Sequence, residues 1–233
     1  MTQPVAAKVT RARPAQNLYG QKMGAKGMRT RAQYIRATEQ LLERRTLRDL
    51  TVAEIAHEAA AAPTTFYAYF ADVTEAVLAA VNETERTSDE MEAIFAREWT
   101  SETSYQNAKD LVEAYCAFWD KHFWVLRTRN LAADEGDRRF MKARHDATLK
   151  LTTYLQERIA AVHPKTDAVS ISHVMLMMME RIPVITRRPY RRRRSRKHLI
   201  EAAAFFIGCA LNSPGPLPLA DRNGQDSDDG DEA

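Results

Sequence analysis

The stretch T-V-A-E-I-A-H-E-A-A-A-A-P-T-T-F-Y-A-Y-F, Thr51 to Phe70, holds two helix starts in close succession. Thr51 and Glu54 have the spacing of a capping box: the Thr hydroxyl accepts from the Glu54 amide, and the Glu54 carboxylate reaches back to the Thr51 amide. Ile55, Ala56 and Ala59 then give a short, slim apolar face. Pro63 marks a second start, because proline suits the first helical turn, where its missing N–H is no loss. In the short helix that follows, Phe66 and Phe70 are spaced i, i+4 and read as buried anchors. Tyr67 and Tyr69 leave the helix about 200° apart, so they cannot both be core. Two helices separated by only a few residues are what a helix-turn-helix requires.

The flanks extend the pattern. From Thr30, Ile35, Thr38, Leu41 and Leu42 form one apolar stripe, with Arg31, Arg36, Glu39 and Glu43 facing out. That helix is expected to end near Arg44-Arg45, where positive charge complements the helix dipole. Downstream, Asp72 to Glu75 (D-V-T-E) is a second capping box, opening a helix that carries Ala76, Val77, Ala80 and Val81. Ahead of all this, residues 1–27 contain Pro4, Pro14, Gly20, Gly24 and Gly27 and little apolar periodicity, so a disordered basic arm is expected.

The 233-residue chain is 45% apolar and 28% charged, an ordinary globular balance. No apolar run approaches the roughly 20 residues that span a bilayer, and no membrane helix is expected. The opening M-T-Q-P-V-A-A-K-V-T does not read as a secretory signal. Cys116 and Cys209 stand alone, far from C-x-x-C spacing, which argues against a disulfide scaffold or zinc ribbon and suits the reducing cytoplasm. The net charge of +3 hides a segregation. Residues 1–50 carry 11 Lys/Arg against Glu39, Glu43 and Asp49; Arg187 to Lys197 holds eight basic residues; the tail from Asn212 has six acids and one Arg. A basic head on an acidic body suggests that one end meets a polyanion.

The T-F-Y-x-Y-F ending joined to I-A at this spacing resembles the helix-turn-helix of the tetracycline-repressor (TetR) family of transcriptional regulators. Ile35, Ala37 and Leu41-Leu42 upstream and V-L-A-A-V (Val77–Val81) downstream fit the same module, so the match covers residues 28–88. The resemblance implies an all-α protein in four parts. The basic arm 1–27 precedes a three-helix DNA-binding bundle, residues 28–88, with its helix-turn-helix motif at 51–70. A long helix joins it to a helical effector-binding and dimerisation domain, 89–211, and a disordered acidic tail follows, 212–233. Three positions depart from the family pattern. Ala60 stands where the turn usually has Gly, Ala62 where a Ser or Thr usually caps the recognition helix, and Val73 where many relatives have a phosphate-gripping Lys.

A recognition helix needs small or hydrogen-bonding side chains at its leading end, and Thr64 and Thr65 meet that need. Thr64 could instead only cap the helix. By resemblance the Tyr67 and Tyr69 hydroxyls reach backbone phosphates. Thr51 can act both as cap and as phosphate neighbour, since a helix N-terminus presents free N–H groups. Ala53 is short and solvent-facing and can approach DNA. Arg29 and Arg31 are candidates to supply the phosphate grip that Val73 cannot. His57 reads as a surface residue, and no ligand spacing suggests a metal or other cofactor.

Beyond residue 88 the chain stays helical. Val112, Tyr115, Cys116 and Trp119 mark a helix over 105–122, R-N-L-A-A-D-E-G-D a short one, and Phe140, Leu155 and Ile159 a long one over 137–162. Helices over 169–185 and 198–211 follow; by resemblance these last two pair with a second copy in a four-helix bundle, with Ile182 and Ile207 expected on the pairing face. Phe118, Trp119, Phe123, Trp124, Met175, Met178 and Met179 are candidates for an adaptable apolar effector pocket, or plain core. Arg127 and Arg129 could anchor an anion or pair with Asp134, Glu135 or Asp137. The Arg-rich stretch 187–197 could be a solvated loop, a partner for the acidic tail, or a site for a phosphate-bearing ligand or nucleic acid. The expected partners are a palindromic double-stranded operator, a small, largely apolar effector that could be acyl-CoA-like, and a second copy of the chain. The alternative is a sequence-tolerant architectural nucleic-acid-binding protein. No G-x-S-x-G, H-E-x-x-H or P-loop suggests an enzyme.

Overall fold

The computed structural model describes residues 17–84, 89–187 and 195–212. The expectations placed on residues 1–16, on 188–194 within the Arg-rich stretch and on the tail from 213 lie outside them. The described residues form ten α-helices: α1 (Ala25–Leu42), α2 (Val52–Glu58), α3 (Pro63–Phe66), α4 (Val73–Thr84), α5 (Asp89–Phe95), α6 (Ser104–Lys121), α7 (Phe123–Asp134), α8 (Arg138–Val162), α9 (Ala168–Thr186) and α10 (Arg196–Asn212), with a 3-10 turn at Leu47–Asp49. The fold is all-α, as expected. The described residues divide into two compact units, 17–84 with 123–144, and 89–122 with 145–187 and 195–212.

In the first unit α1 packs against α2, α4 and α7. Its core joins Tyr34, Ile35 and Leu41 to Ile55, Phe66 and Val77, and residues 123–144 add Val125 and Phe140. Helix α1 starts at Ala25 and not near Thr30, after an extended Gly24 that offers no side-chain cap. The good helix formers Ala25, Lys26, Met28 and Arg29 carry the helix through Gly27. A hydrogen-bonded turn at residues 17–21 and the first residues of α1 occupy the end of the expected arm. The capping box at Thr51 is present in full. At α4 the Asp72 carboxylate accepts from the Glu75 amide at 2.8 Å, and Glu75 reaches the Ala71 amide at 2.7 Å, one residue earlier than expected. Helix α7 is longer than the expected short helix at R-N-L-A-A-D. It begins at Phe123, because Phe123, Val125 and Leu126 continue its buried face.

In the second unit α6 packs along α10. Gly208 permits this: a Cβ there would lie 3.3 Å from the Tyr105 Cα and 3.5 Å from the Ser104 carbonyl. The Tyr154 ring of α8 stacks on Phe95 at 4.0 Å, and its hydroxyl donates to the Phe95 carbonyl at 2.9 Å. By length and composition helix α9 is apolar enough to cross a bilayer, a test that packed helices of a folded domain also pass. Its interior carries a buried Glu180, and it packs against both α6 and α10. These are the marks of a helix packed on one side within its unit, where apolar composition serves packing.

Candidate nucleic-acid interface

The turn between α2 and α3 closes α2 with two hydrogen bonds. The Ala61 amide donates to the Ala56 carbonyl and the Ala60 amide to the His57 carbonyl, each at 3.0 Å. This is a Schellman closure, which needs a left-handed residue. Ala60 supplies it at φ +49°, the only positive φ outside glycine among the described residues. The strain expected from alanine at a glycine position is therefore present. Ala62 then starts α3 with no side-chain cap, as its missing hydroxyl dictates.

Phe66 and Phe70 are buried, with ring centroids 5.2 Å apart. Thr64 and Thr65 are exposed on the same helix. Thr64 does not cap α3, since Ala62 occupies that position. Tyr67 is 49% exposed, whereas Tyr69 is half-buried against the core.

Tyr34 was not singled out by its sequence. It is wholly buried, edge-on to Phe66 at 5.4 Å, and its hydroxyl donates to the Ala62 carbonyl at 2.8 Å. It thus ties α1 to the start of the recognition helix. Burial raises the pKa of its phenol above the ordinary value, Tyr69 adds to the rise, and a hydrogen bond with the Thr65 side chain opposes it. The available signal was its place four residues before Thr38 on the apolar stripe of α1.

The remaining candidates separate by what they touch. Thr51 is exposed, but its hydroxyl is engaged in the capping box, accepting from the Glu54 amide and donating to the Glu54 carboxylate at 2.8 Å. Ala53 and His57 are exposed on α2, as expected. Arg31 lies over the Phe70 ring at 5.3 Å and 4.0 Å from Glu83, so its charge is partly occupied inside the unit. Arg44, Arg45 and Arg48 pair with Glu58, Glu54 and Glu135. Lys22, Lys26 and Arg29 are exposed and have no ion-pair partner among the described residues. Of the two candidate arginines, Arg29 is the more available.

The family model for the tetracyclin repressor-like C-terminal domain matches residues 90–178. Over these residues the chain is similar to that domain. Solved structures of transcriptional regulators share its fold at low identity. A putative transcriptional regulator from Saccharomonospora viridis, in complex with choline, is 15% identical and covers 77% of this chain and 96% of its own, with a TM-score of 0.62. A TetR-family regulator from Streptomyces coelicolor is 16% identical over 81% of this chain and 82% of its own, at 0.61. The regulator FadR from Bacillus subtilis, in complex with stearoyl-CoA, is 11% identical over 78% and 98%, at 0.59. Comparison with curated protein sequences gave no match.

The candidate effector residues are divided between the two units. Phe118, Trp119, Met175, Met178 and Met179 belong to the second unit, Phe123 and Trp124 to the first. Trp119, Met175, Met179 and Phe123 are buried, while Phe118, Met178 and Trp124 are half-buried. Arg127 sits over the Trp124 ring at 5.7 Å, and buried Arg129 donates to the Asn130 side chain. The acids offered as their partners are engaged elsewhere: Asp134 with Arg144, Glu135 with Arg48 and Asp137 with Arg139.

Proposed function

We propose that the chain is a homodimeric DNA-binding transcriptional regulator of the cytoplasm, a repressor released from a palindromic operator by a small, largely apolar effector. The observation that carries the DNA reading is the split of α3 and the turn that follows it. Phe66 and Phe70 hold the helix in the core, while Thr64, Thr65 and Tyr67 stand exposed on the remaining face. A helix so fixed can enter the major groove with threonine hydroxyls and methyls toward base edges. Tyr67, Tyr69, Arg29 and the exposed Thr51–Ala53 start of α2 are the proposed backbone contacts, and Arg31 has a supporting place behind Phe70. Dimerisation is supported by the second unit, where Val174, Met177, Phe205 and Phe206 are each more than half exposed on α9 and α10. Apolar side chains gathered on adjacent helices favour a partner.

An effector held in the second unit would act by favouring a dimer whose half-site spacing mismatches the operator, a population shift. Choline and stearoyl-CoA in the structural relatives support a ligand-binding role of this kind without fixing the ligand's chemistry. The test is selection of bound duplexes from random DNA, followed by screening compounds for release. Preference for one palindrome by about 10³-fold or more over random duplex is expected. A flat profile would favour the sequence-tolerant architectural reading.

A further inference from the structure

The loop ahead of α1 is built around Asn17. The Asn17 side-chain oxygen accepts from the Tyr19 amide at 3.1 Å and the Gln21 amide at 2.9 Å, and its amide nitrogen donates to the Gln21 side chain at 3.0 Å. The backbone closes the same ring, with the Gly20 amide donating to the Asn17 carbonyl and the Asn17 amide to the Gln21 carbonyl. Gly20 makes the reversal at φ +76°. The loop is fastened to the recognition element at one point: the Leu18 amide donates to the Ala68 carbonyl at 2.9 Å. Ala68 lies between Tyr67 and Tyr69, just past the end of α3, where a helix leaves carbonyls in need of donors.

What this loop displays is unusual for a structural clasp. Tyr19 is 69% exposed. Lys22, Lys26 and Arg29 follow it, and from Asn17 to Thr38 there is no acidic residue. The arginines at 31, 44, 45 and 48 are matched with carboxylates, and Arg36 lies two turns further along α1, so Lys22, Lys26 and Arg29 are the positive charges left beside this loop. A rigid, uncompensated basic surface next to a recognition helix fits a phosphate backbone.

We propose that the Asn17–Lys22 loop is a fixed part of the DNA-contacting surface, with the Tyr19 hydroxyl and the Lys22 ammonium meeting phosphates that flank the recognition helix. This rests on the DNA-binding reading and adds a named element to it. Because the loop is pinned at Ala68, its contacts follow α3 and are made to phosphates, not to the bases of a neighbouring minor groove. They should therefore contribute equally on every sequence.

The test uses the full chain and the duplex that the unmodified protein enriches from a randomised library, beside an unrelated duplex of equal length. Tyr19→Phe with Lys22→Gln should weaken binding to both duplexes by about tenfold or more and make the slope of log K against log salt shallower by roughly 0.9 for the lysine contact. Asn17→Ala, which opens the clasp but removes no charge, should weaken binding with an unchanged melting temperature of the core. Exchanging A·T for G·C pairs outside the recognition sequence should leave the loss in the double variant unaltered. Equal affinity and salt slope for the folded double variant and the unmodified protein would overturn the proposal while leaving the DNA reading intact. Failure of the unmodified protein to bind any duplex would remove the reading itself.

Discussion

Ala60 and Ala62 leave the helix-turn-helix less stable than its geometry allows. A left-handed alanine is disfavoured by about 1 kcal/mol relative to glycine, and Ala60 holds that conformation at φ +49°. Ala60→Gly should therefore raise the unfolding free energy by up to about 1 kcal/mol in urea titrations, after the entropy that glycine adds to the unfolded chain is offset. Ala62→Ser restores an acceptor for the free amides at the start of α3 and should add about 1 kcal/mol in the same titration. Tyr34→Phe works in the opposite direction. It deletes the hydroxyl on the Ala62 carbonyl and should lower stability by about 1 kcal/mol. If that variant is as stable as the unmodified chain, water has replaced the hydroxyl at Ala62.

At the scale of the element, α3 is a single turn that borrows its order from neighbours, since so short a helix does not form alone. The two tyrosines that follow it differ accordingly. Tyr67 is exposed, and Tyr67→Phe should weaken DNA binding by about 1 kcal/mol on all sequences without changing stability. Tyr69 rests its ring on the core, yet its hydroxyl has no hydrogen bond among the described residues, so Tyr69→Phe should behave alike. Unfolding of either variant in a thermal melt would mark that hydroxyl as structural. The start of α1 at Ala25 also decides which N-terminal deletion is informative. Removing residues 1–27 would take the first turn of α1 and the Leu18–Ala68 bond together with Lys8, Arg11 and Arg13. Deleting residues 1–16 alone isolates those three charges, and a shallower salt slope is expected for every phosphate they meet.

At the scale of the whole molecule, the exposed apolar face of α10 falls one helical step from where the apolar pattern put it. Ile182 and Ile207, expected on that face, are buried within a single protomer at 4% and 0% exposure, whereas Phe205 and Phe206 are 58% and 60% exposed. Neighbours on a helix diverge by about 100°, so the Ile207 side chain turns inward while the phenylalanines turn out. Phe206→Asp should yield folded monomers by sedimentation, and Ile207→Asp should unfold the second unit, because it buries a charge without a partner. A Phe206→Asp protein that remains dimeric would place the interface elsewhere.

The helix-turn-helix was readable from local chemistry alone. Thr51 with Glu54, Pro63, Phe66 with Phe70, and Asp72 with Glu75 fix helix starts and anchors through hydrogen bonds and contacts within four residues. Even the strain at Ala60 followed from one missing glycine. Tyr34 on Ala62, Leu18 on Ala68 and Arg31 over Phe70 were not readable, because their partners lie far along the chain and any helix surface offers several such choices. For the same reason the sequence could place apolar residues on α9 and α10 but not divide them between a protomer's core and its open face. Periodicity says that a side is apolar; only the packing of α6 against α10, set by the close approach at Gly208, decides which residues that side has covered.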